Sequence, residues 1–156
     1  MIVIGIDPGV TGAYAIHDGG VLYTVDDLPV LGGRIDGGAF AHTLKMYSPE
    51  DTVIYLEDTQ AMPKNGSIAS FSLGLNTGII IGVVQTLRHP LVRVKPQAWK
   101  RKMSVTGLDK NGTRGLVREL YPAWETSFRR VMDHNRADAV LISRYGVAHQ
   151  LQEANA

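Results

Sequence analysis

Two short apolar runs in this 156-residue sequence each stop at a carboxylate. The first, MIVIGIDPGVTG over Met1 to Gly12, places Ile2, Val3, Ile4 and Ile6 before Asp7; the second, TVIYL over Thr52 to Leu56, runs into Glu57 and Asp58. A carboxylate beside a hydrophobic core is costly unless a cation, a ligand or local donors satisfy it, so both positions invite one of these three. The local alternative is concrete. Asp7-Pro8-Gly9 is a good turn, with Pro8 fixing φ and Gly9 free to take a positive φ, and Glu57 can simply open a polar loop. A third place with chemical potential is HNRAD, where His134 and Asp138 stand four residues apart. That spacing puts them on one helical face, one turn apart, as a helix presents two ligands to one site; a structural His and a solvated Asp have the same spacing.

Elements that would position these groups are readable from periodicity. β-branched runs without charge indicate strands buried on both faces. Ala13 to Ile16 and Val21 to Val25 flank His17-Asp18-Gly19-Gly20, so the first strand is followed by two more joined by a Gly-rich hairpin turn. Asp26 to Gly38 has turn signals, and Ala39 to Met46 reads as a short helix. If the strands ending at Asp7 and Glu57 are central neighbours, the two carboxylates emerge together, where open α/β sheets place their ligands. Ser67 to about Leu87 reads as a long helix with Ile68, Phe71, Leu75, Ile79 and Val83 on one face and Gly74, Gly78 and Gly82 as a second stripe. Such a stripe costs helix propensity and points to close approach of another backbone, either the sheet or a second subunit. Leu91 to Val94 gives a fifth strand, Pro96 opens a short helix, Asn111 to Leu120 forms another, and Asp133 or Asn135 caps a last one.

The resulting expectation is a single α/β domain over residues 1–150, with a frayed tail at 151–156. There are no cysteines, the start has no basic n-region, and the longest uninterrupted apolar stretch, Gly78 to Val84, is short for a bilayer. The expected setting is cytoplasmic, bacterial or that of a phage host, with no membrane partner. Net charge is only +1, but residues 1–60 carry nine acidic against two basic groups, whereas Arg88 to Arg136 carry twelve basic against four acidic. That asymmetry suits a protein that holds cations at one place and a polyanion at another, or one with two solvated faces. Lys95, Lys100, Arg101, Lys102 and Lys110 cluster around Trp99 in VKPQAWKRKMSVTGLDK. Cations among small polar residues suit phosphate-backbone contact, and Trp99 is read as packed inward.

In this order, GIDPGVTG, YLED, MPKNGSIASFSLGLNTG, the basic segment and HNRADAVLIS resemble the RuvC family of Holliday-junction resolvases, within the RNase H-like fold, and look most like its bacteriophage-encoded branch. The similarity spans most of the chain. It implies a central five-stranded mixed sheet, three antiparallel strands then two parallel, flanked by helices. It further implies a metal-dependent endonuclease that resolves branched DNA by paired nicks leaving 5′-phosphates, in recombination, repair or phage DNA processing. Asp7, Glu57 and Asp138 would be carboxylate ligands of Mg²⁺ or Mn²⁺, two ions per site, with His134 the fourth member and Asp133 in reserve; Asn135 has the third possible offset. Hard oxygen ligands suit these ions, and two of them can activate water and stabilise the leaving oxygen. Lys64, Asn65 and the cations around Trp99 would contact DNA. Two symmetric cuts imply a homodimer, with the helix Ser67 to Leu87 as its interface.

One departure is visible. Bacterial members carry an aromatic residue shortly after the glutamate, whereas this chain has Asp58-Thr59-Gln60-Ala61-Met62, leaving Met62 as the candidate wedge. Rival classes are an actin-like phosphotransferase, which needs a second domain that this length leaves no room for, a non-catalytic binding module, a less selective debranching nuclease, and a hybrid-specific RNase H.

Overall fold

The computed structural model describes residues 1–60 and 66–156; Met62, Lys64 and Asn65 therefore lie outside the described residues. Strand β1 (Ile2–Asp7) is the centre of a five-stranded sheet. It pairs antiparallel with β2 (Ala13–Asp18), which pairs antiparallel with β3 (Val21–Asp27). Gly19 and Gly20, at φ 55° and 85°, supply the two left-handed residues that the tight β2–β3 turn requires. A small hairpin, β4 (Val30–Leu31) and β5 (Arg34–Ile35), precedes helix α1 (Gly37–Leu44). On its other side β1 pairs parallel with β6 (Thr52–Glu57), which pairs parallel with β7 (Leu91–Val94), giving the order β3-β2-β1-β6-β7. The expected mixed sheet is present strand for strand.

Helices cover both faces. On one lie α1 and α2 (Ser67–Thr86), over Ile4, Ile6, Ile54 and Leu56. On the other, Val3 and Tyr55 pack with α3 (Pro96–Lys102), α4 (Lys110–Leu120), a 3₁₀ turn over Pro122–Phe128 and α5 (His134–Ala154). Strand parity follows from this division. Side chains alternate along a strand, so Val3, Gly5 and Asp7 share the α5 face, as do Val53, Tyr55 and Glu57. Gly5 and Gly146 let α5 lie very close to the sheet: a Cβ on Gly5 would stand 2.3 Å from the Ser143 amide nitrogen, and one on Gly146 2.6 Å from Val3 and Tyr55 side chains.

A buried polar strut adds to this packing. The Ser143 hydroxyl donates to the Val140 carbonyl at 2.9 Å, so it accepts from His17 Nδ1 at 2.9 Å, and His17 Nε2 accepts from the Tyr121 hydroxyl at 3.0 Å. Burial first, and the Arg144 charge second, lower the His17 pKa to about 4, which keeps the imidazole neutral at physiological pH.

Helix α2 departs from expectation. Its buried residues are Asn76, Ile80 and Val84, while Ile68 and Phe71, from the apolar stripe read in the sequence, are 85% and 72% exposed. Asn76 is inside because its side chain works for the backbone: Oδ1 accepts from the Ile35 amide at 2.7 Å and Nδ2 donates to the Ser72 carbonyl at 2.7 Å. The glycine stripe meets nothing within 4 Å, so the sheet is not its neighbour. By length and apolar composition α2 would also suffice to cross a bilayer, which its interrupted apolar runs did not indicate. At the other end of the chain, α5 runs on through Ala154, with the side chains of residues 151–156 exposed.

Candidate active site

Asp7 and Glu57 end adjacent parallel strands on the same face, one residue beyond the Ile6–Leu56 pairing. Helix α5 enters with its N-terminus over these strand ends. Its Ala139 carbonyl and Ser143 amide lie against Gly5, and Asp138 comes up beside Asp7. Gly9, at φ 137°, turns the chain away after Asp7-Pro8, and a Cβ at Gly12 would collide with the Asp7 carbonyl oxygen at 2.2 Å. The turn exists, but its local bond to the Asp7 carboxylate does not: among the described residues neither Asp7 nor Asp138 receives a side-chain hydrogen bond.

Electrostatics bind the three carboxylates into one unit. Burial, then the charges of Glu57 and Asp138, push the Asp7 carboxyl well above its ordinary value, with Lys100 and Lys110 opposing. Burial likewise raises Asp138 to about 6; Lys100 and Lys110 lower it and Glu57 raises it. Crowded, partly desolvated carboxylates without donors are an arrangement that a cation relieves. Among the described residues, no three His, Asp or Glu side chains converge at ligand distance around one point. The donor set nevertheless suits a hard divalent ion: carboxylate oxygens, mutual repulsion and no competing protein donor on Asp7 or Asp138.

Glu57 is different, because both of its oxygens are held. The Trp99 indole Nε1 donates to Oε1 at 2.9 Å and the Thr59 hydroxyl to Oε2 at 2.9 Å. Neither residue carried a site role in the sequence reading. Trp99 does pack inward as expected, fully buried; a buried indole needs a hydrogen-bond partner, but sequence does not say which.

The three offsets considered for a fourth member separate clearly. Asp133 is buried and committed to Arg130, accepting from its backbone amide at 2.7 Å and its Nε at 2.9 Å. Burial works to raise its carboxyl, but the Arg130 bonds and charge outweigh that and bring it below its ordinary value. Asp133 is thus a structural residue at the entry to α5. Asn135 donates to the Thr11 carbonyl, tying α5 to the β1–β2 loop. His134 stands one turn before Asp138, its Nδ1 donating to the Val131 carbonyl at 3.0 Å. A carbonyl only accepts, so Nδ1 carries a proton, and in the neutral ring the lone pair is on Nε2. The ring lines a cavity of about 240 Å³ with Val10, Thr11, Asp27, Arg130, Met132 and Asn135; none of the three carboxylates lines it, and His134 is outside the set of charges that shift them.

The basic segment divides into three places. Lys100 and Lys110 face the carboxylates, and Lys100 Nζ lies 5.3 Å from the centre of the Trp99 ring. Lys95 lines a groove of about 550 Å³ with Asp58, Thr59, Gln60 and Gln97, next to Glu57. Arg101 and Lys102 turn to a separate cleft of about 370 Å³ against Tyr145 and His149 of α5. Much of the charge asymmetry in the sequence is consumed internally. Arg93 pairs with Asp58, Arg118 and Arg129 with Glu125, Arg130 with Asp133, and Arg136 with Asp26 and Asp27. Lys95, Lys100, Arg101, Lys102 and Lys110 make no ion pair among the described residues.

Sheet order, flanking helices and carboxylate-tipped central strands together make a fold like that of RuvC. Known proteins agree. Over 97% of its length the chain matches 96% of RuvC from Thermus thermophilus, in complex with a Holliday junction substrate, at a TM-score of 0.67 and 13% identity. The fowlpox virus Holliday junction resolvase matches with a TM-score of 0.52 and 18% identity over 97% of this chain and 99% of that one. At these identities the likeness establishes the fold. In sequence, 94 residues are 27% identical to the chloroplastic Holliday junction resolvase MOC1 of Chlamydomonas reinhardtii. They cover 60% of this chain and span 11% of that relative's length. No protein-family profile matches the chain.

Proposed function

We propose that this protein is a divalent-metal-dependent endonuclease that resolves four-way DNA junctions by paired nicks. The observation that carries the proposal is the gathering of Asp7, Glu57 and Asp138 on one face of the sheet, with Asp7 and Asp138 lacking hydrogen-bond donors and raised by neighbouring carboxylate charge, and with Lys100 and Lys110 alongside. The similarity to junction resolvases supports branched DNA as the substrate class.

In this reading Asp7, Glu57, Asp138 and Nε2 of His134 hold Mg²⁺ or Mn²⁺, two ions per site. Bound there, the metal lowers the pKa of water and neutralises charge at phosphorus. Lys100 and Lys110 offset the negative field of the carboxylates, which otherwise repels a phosphodiester. His134, fixed by the Val131 carbonyl, has one free lone pair on Nε2 in its neutral form, which serves either as the metal ligand or to accept a proton from water, not both at once. Lys95 extends the cationic track along the groove beside Glu57, while Arg101 and Lys102 contact DNA from the α3–α5 cleft. The proposed homodimer interface is α2, a reading supported by its open glycine stripe and exposed Ile68 and Phe71, with two sites opposed across a two-fold axis.

The test is cleavage of end-labelled four-way junction, fork, flap, linear duplex and RNA–DNA hybrid with Mg²⁺. Paired symmetric nicks in the junction, with 5′-phosphate ends, are expected. Equal cutting of linear duplex, or preference for the hybrid, would overturn junction resolution.

A further inference from the structure

Trp99 touches the candidate site twice. Its indole edge donates to Glu57 Oε1 at 2.9 Å, and its ring face lies under Lys100 Nζ at 5.3 Å. The side chain is fully buried, on a helix opened by Pro96 and backed by the core cluster of Val94, Val105 and Val117. Its direction is therefore set by the core. A carboxylate on a strand end has three side-chain torsions, and an ammonium four methylenes from its backbone has more; each loses little by wandering. A rigid indole wedged between them removes that freedom from both.

We propose that Trp99 is a positioning residue: it fixes Glu57 as a ligand and seats Lys100 over the same site. Thr59 completes the clamp by donating to Oε2. Both donors occupy one lone pair of each oxygen and leave the other for a cation, so the clamp orients Glu57 without blocking it. Outer partners of this kind are worth about 10- to 100-fold in metal affinity when removed. The chemistry also explains why the donor is an indole: Nε1–H donates only and carries no charge, so it cannot compete as a ligand or neutralise the glutamate. A lysine in its place would form an ion pair with Glu57 and oppose metal binding.

The inference rests on the metal-site reading, and the experiment separates the two. Mn²⁺ binding is followed by electron paramagnetic resonance, together with the indole N–H resonances of the two tryptophans, Trp99 and Trp124, in ¹⁵N-labelled protein. The Trp99 peak is assigned by its loss in Trp99→Phe, which retains a ring over the core. Wild-type protein is expected to bind Mn²⁺, and diamagnetic Mg²⁺ is expected to shift the Trp99 indole peak with little change at Trp124. Trp99→Phe is expected to weaken Mn²⁺ binding about tenfold or more. Thr59→Val removes the second donor with almost no change of shape and guards against a folding defect; a smaller loss is expected, rescued by Thr59→Ser. Absence of Mn²⁺ binding in the wild type would sink the metal site itself. Wild-type binding with unchanged affinity in both Trp99→Phe and Thr59→Val, and a stationary indole peak, would overturn the positioning role alone.

Discussion

Helices α2 and α5 are nearly equal in length, 20 and 21 residues, and use glycine to opposite effect. In α5, Gly146 is a contact: any Cβ would strike Val3 and Tyr55, and Gly5 on β1 answers by admitting Ser143. In α2, Gly74, Gly78 and Gly82 face open space, with Ile68 and Phe71 exposed beside them. The same small residue marks an interface already made in one helix and a bare surface in the other. Charge divides the helices again. Between Ser67 and Thr86 there is no ionisable side chain, whereas α5 brings Asp138 to the sheet and holds it half-buried near Asp7. Packing on α5 therefore brings Asp138 to the sheet, whereas the α2 glycine face is left uncovered in the single chain.

That contrast breaks first at Gly5. Gly5→Ala should destabilise the fold by about 3 kcal/mol, since the Ser143 backbone cannot yield without lifting α5. A urea midpoint lowered at constant m value is the signature, and a change under about 0.5 kcal/mol would mean that α5 is not seated as described. The control is Gly78→Ala, where the added methyl meets nothing. There the monomer should gain up to about 1 kcal/mol from helix propensity, while sedimentation shows weaker self-association; lost stability in a monomeric state would contradict an open α2 face.

The second difference is titration. Without divalent ions, the folded state holds the Asp138 proton more tightly than the unfolded chain does, with its pKa raised to about 6, and Asp7 shifts the same way. This contribution is complete below about pH 4 and is lost as pH rises through about 6. Roughly 1–2 kcal/mol should disappear over that window after allowance for solvent screening. Urea midpoints across pH 4–8 would show the loss in wild type and a flatter profile in Asp138→Asn. Superimposable profiles would remove the electrostatic coupling on which the site is argued.

The elements that were legible in the sequence share one property: their burial pattern is unambiguous. β1 and β6 announced themselves by unbroken β-branched runs, and their shared ending on a carboxylate placed Asp7 and Glu57 together. Periodicity misled at α2 because that helix is apolar nearly all round, so no face stands out; the inward side was decided by Asn76 serving the Ile35 amide. Long-range side-chain bonds were equally out of reach. Nothing in QAWKRK says that Trp99 reaches Glu57 across 42 positions, and nothing in MDHNRAD says that Asp133 belongs to Arg130. The lysine and arginine cluster looked uniform in one dimension, yet helix geometry sends Lys100 to the carboxylates and Arg101 and Lys102 to another cleft.

The account stands on three carboxylates forming one cation site for junction cleavage, and Asp7 is its centre. The most direct measurement compares Asp7→Asn with wild type on a synthetic four-way junction, following Mg²⁺-dependent nicking and, in EDTA, junction binding. Nicking should fall at least 1,000-fold, about 4 kcal/mol of lost transition-state stabilisation, with binding retained or slightly tightened because a negative charge is gone. Cleavage at the wild-type rate by Asp7→Asn would contradict it.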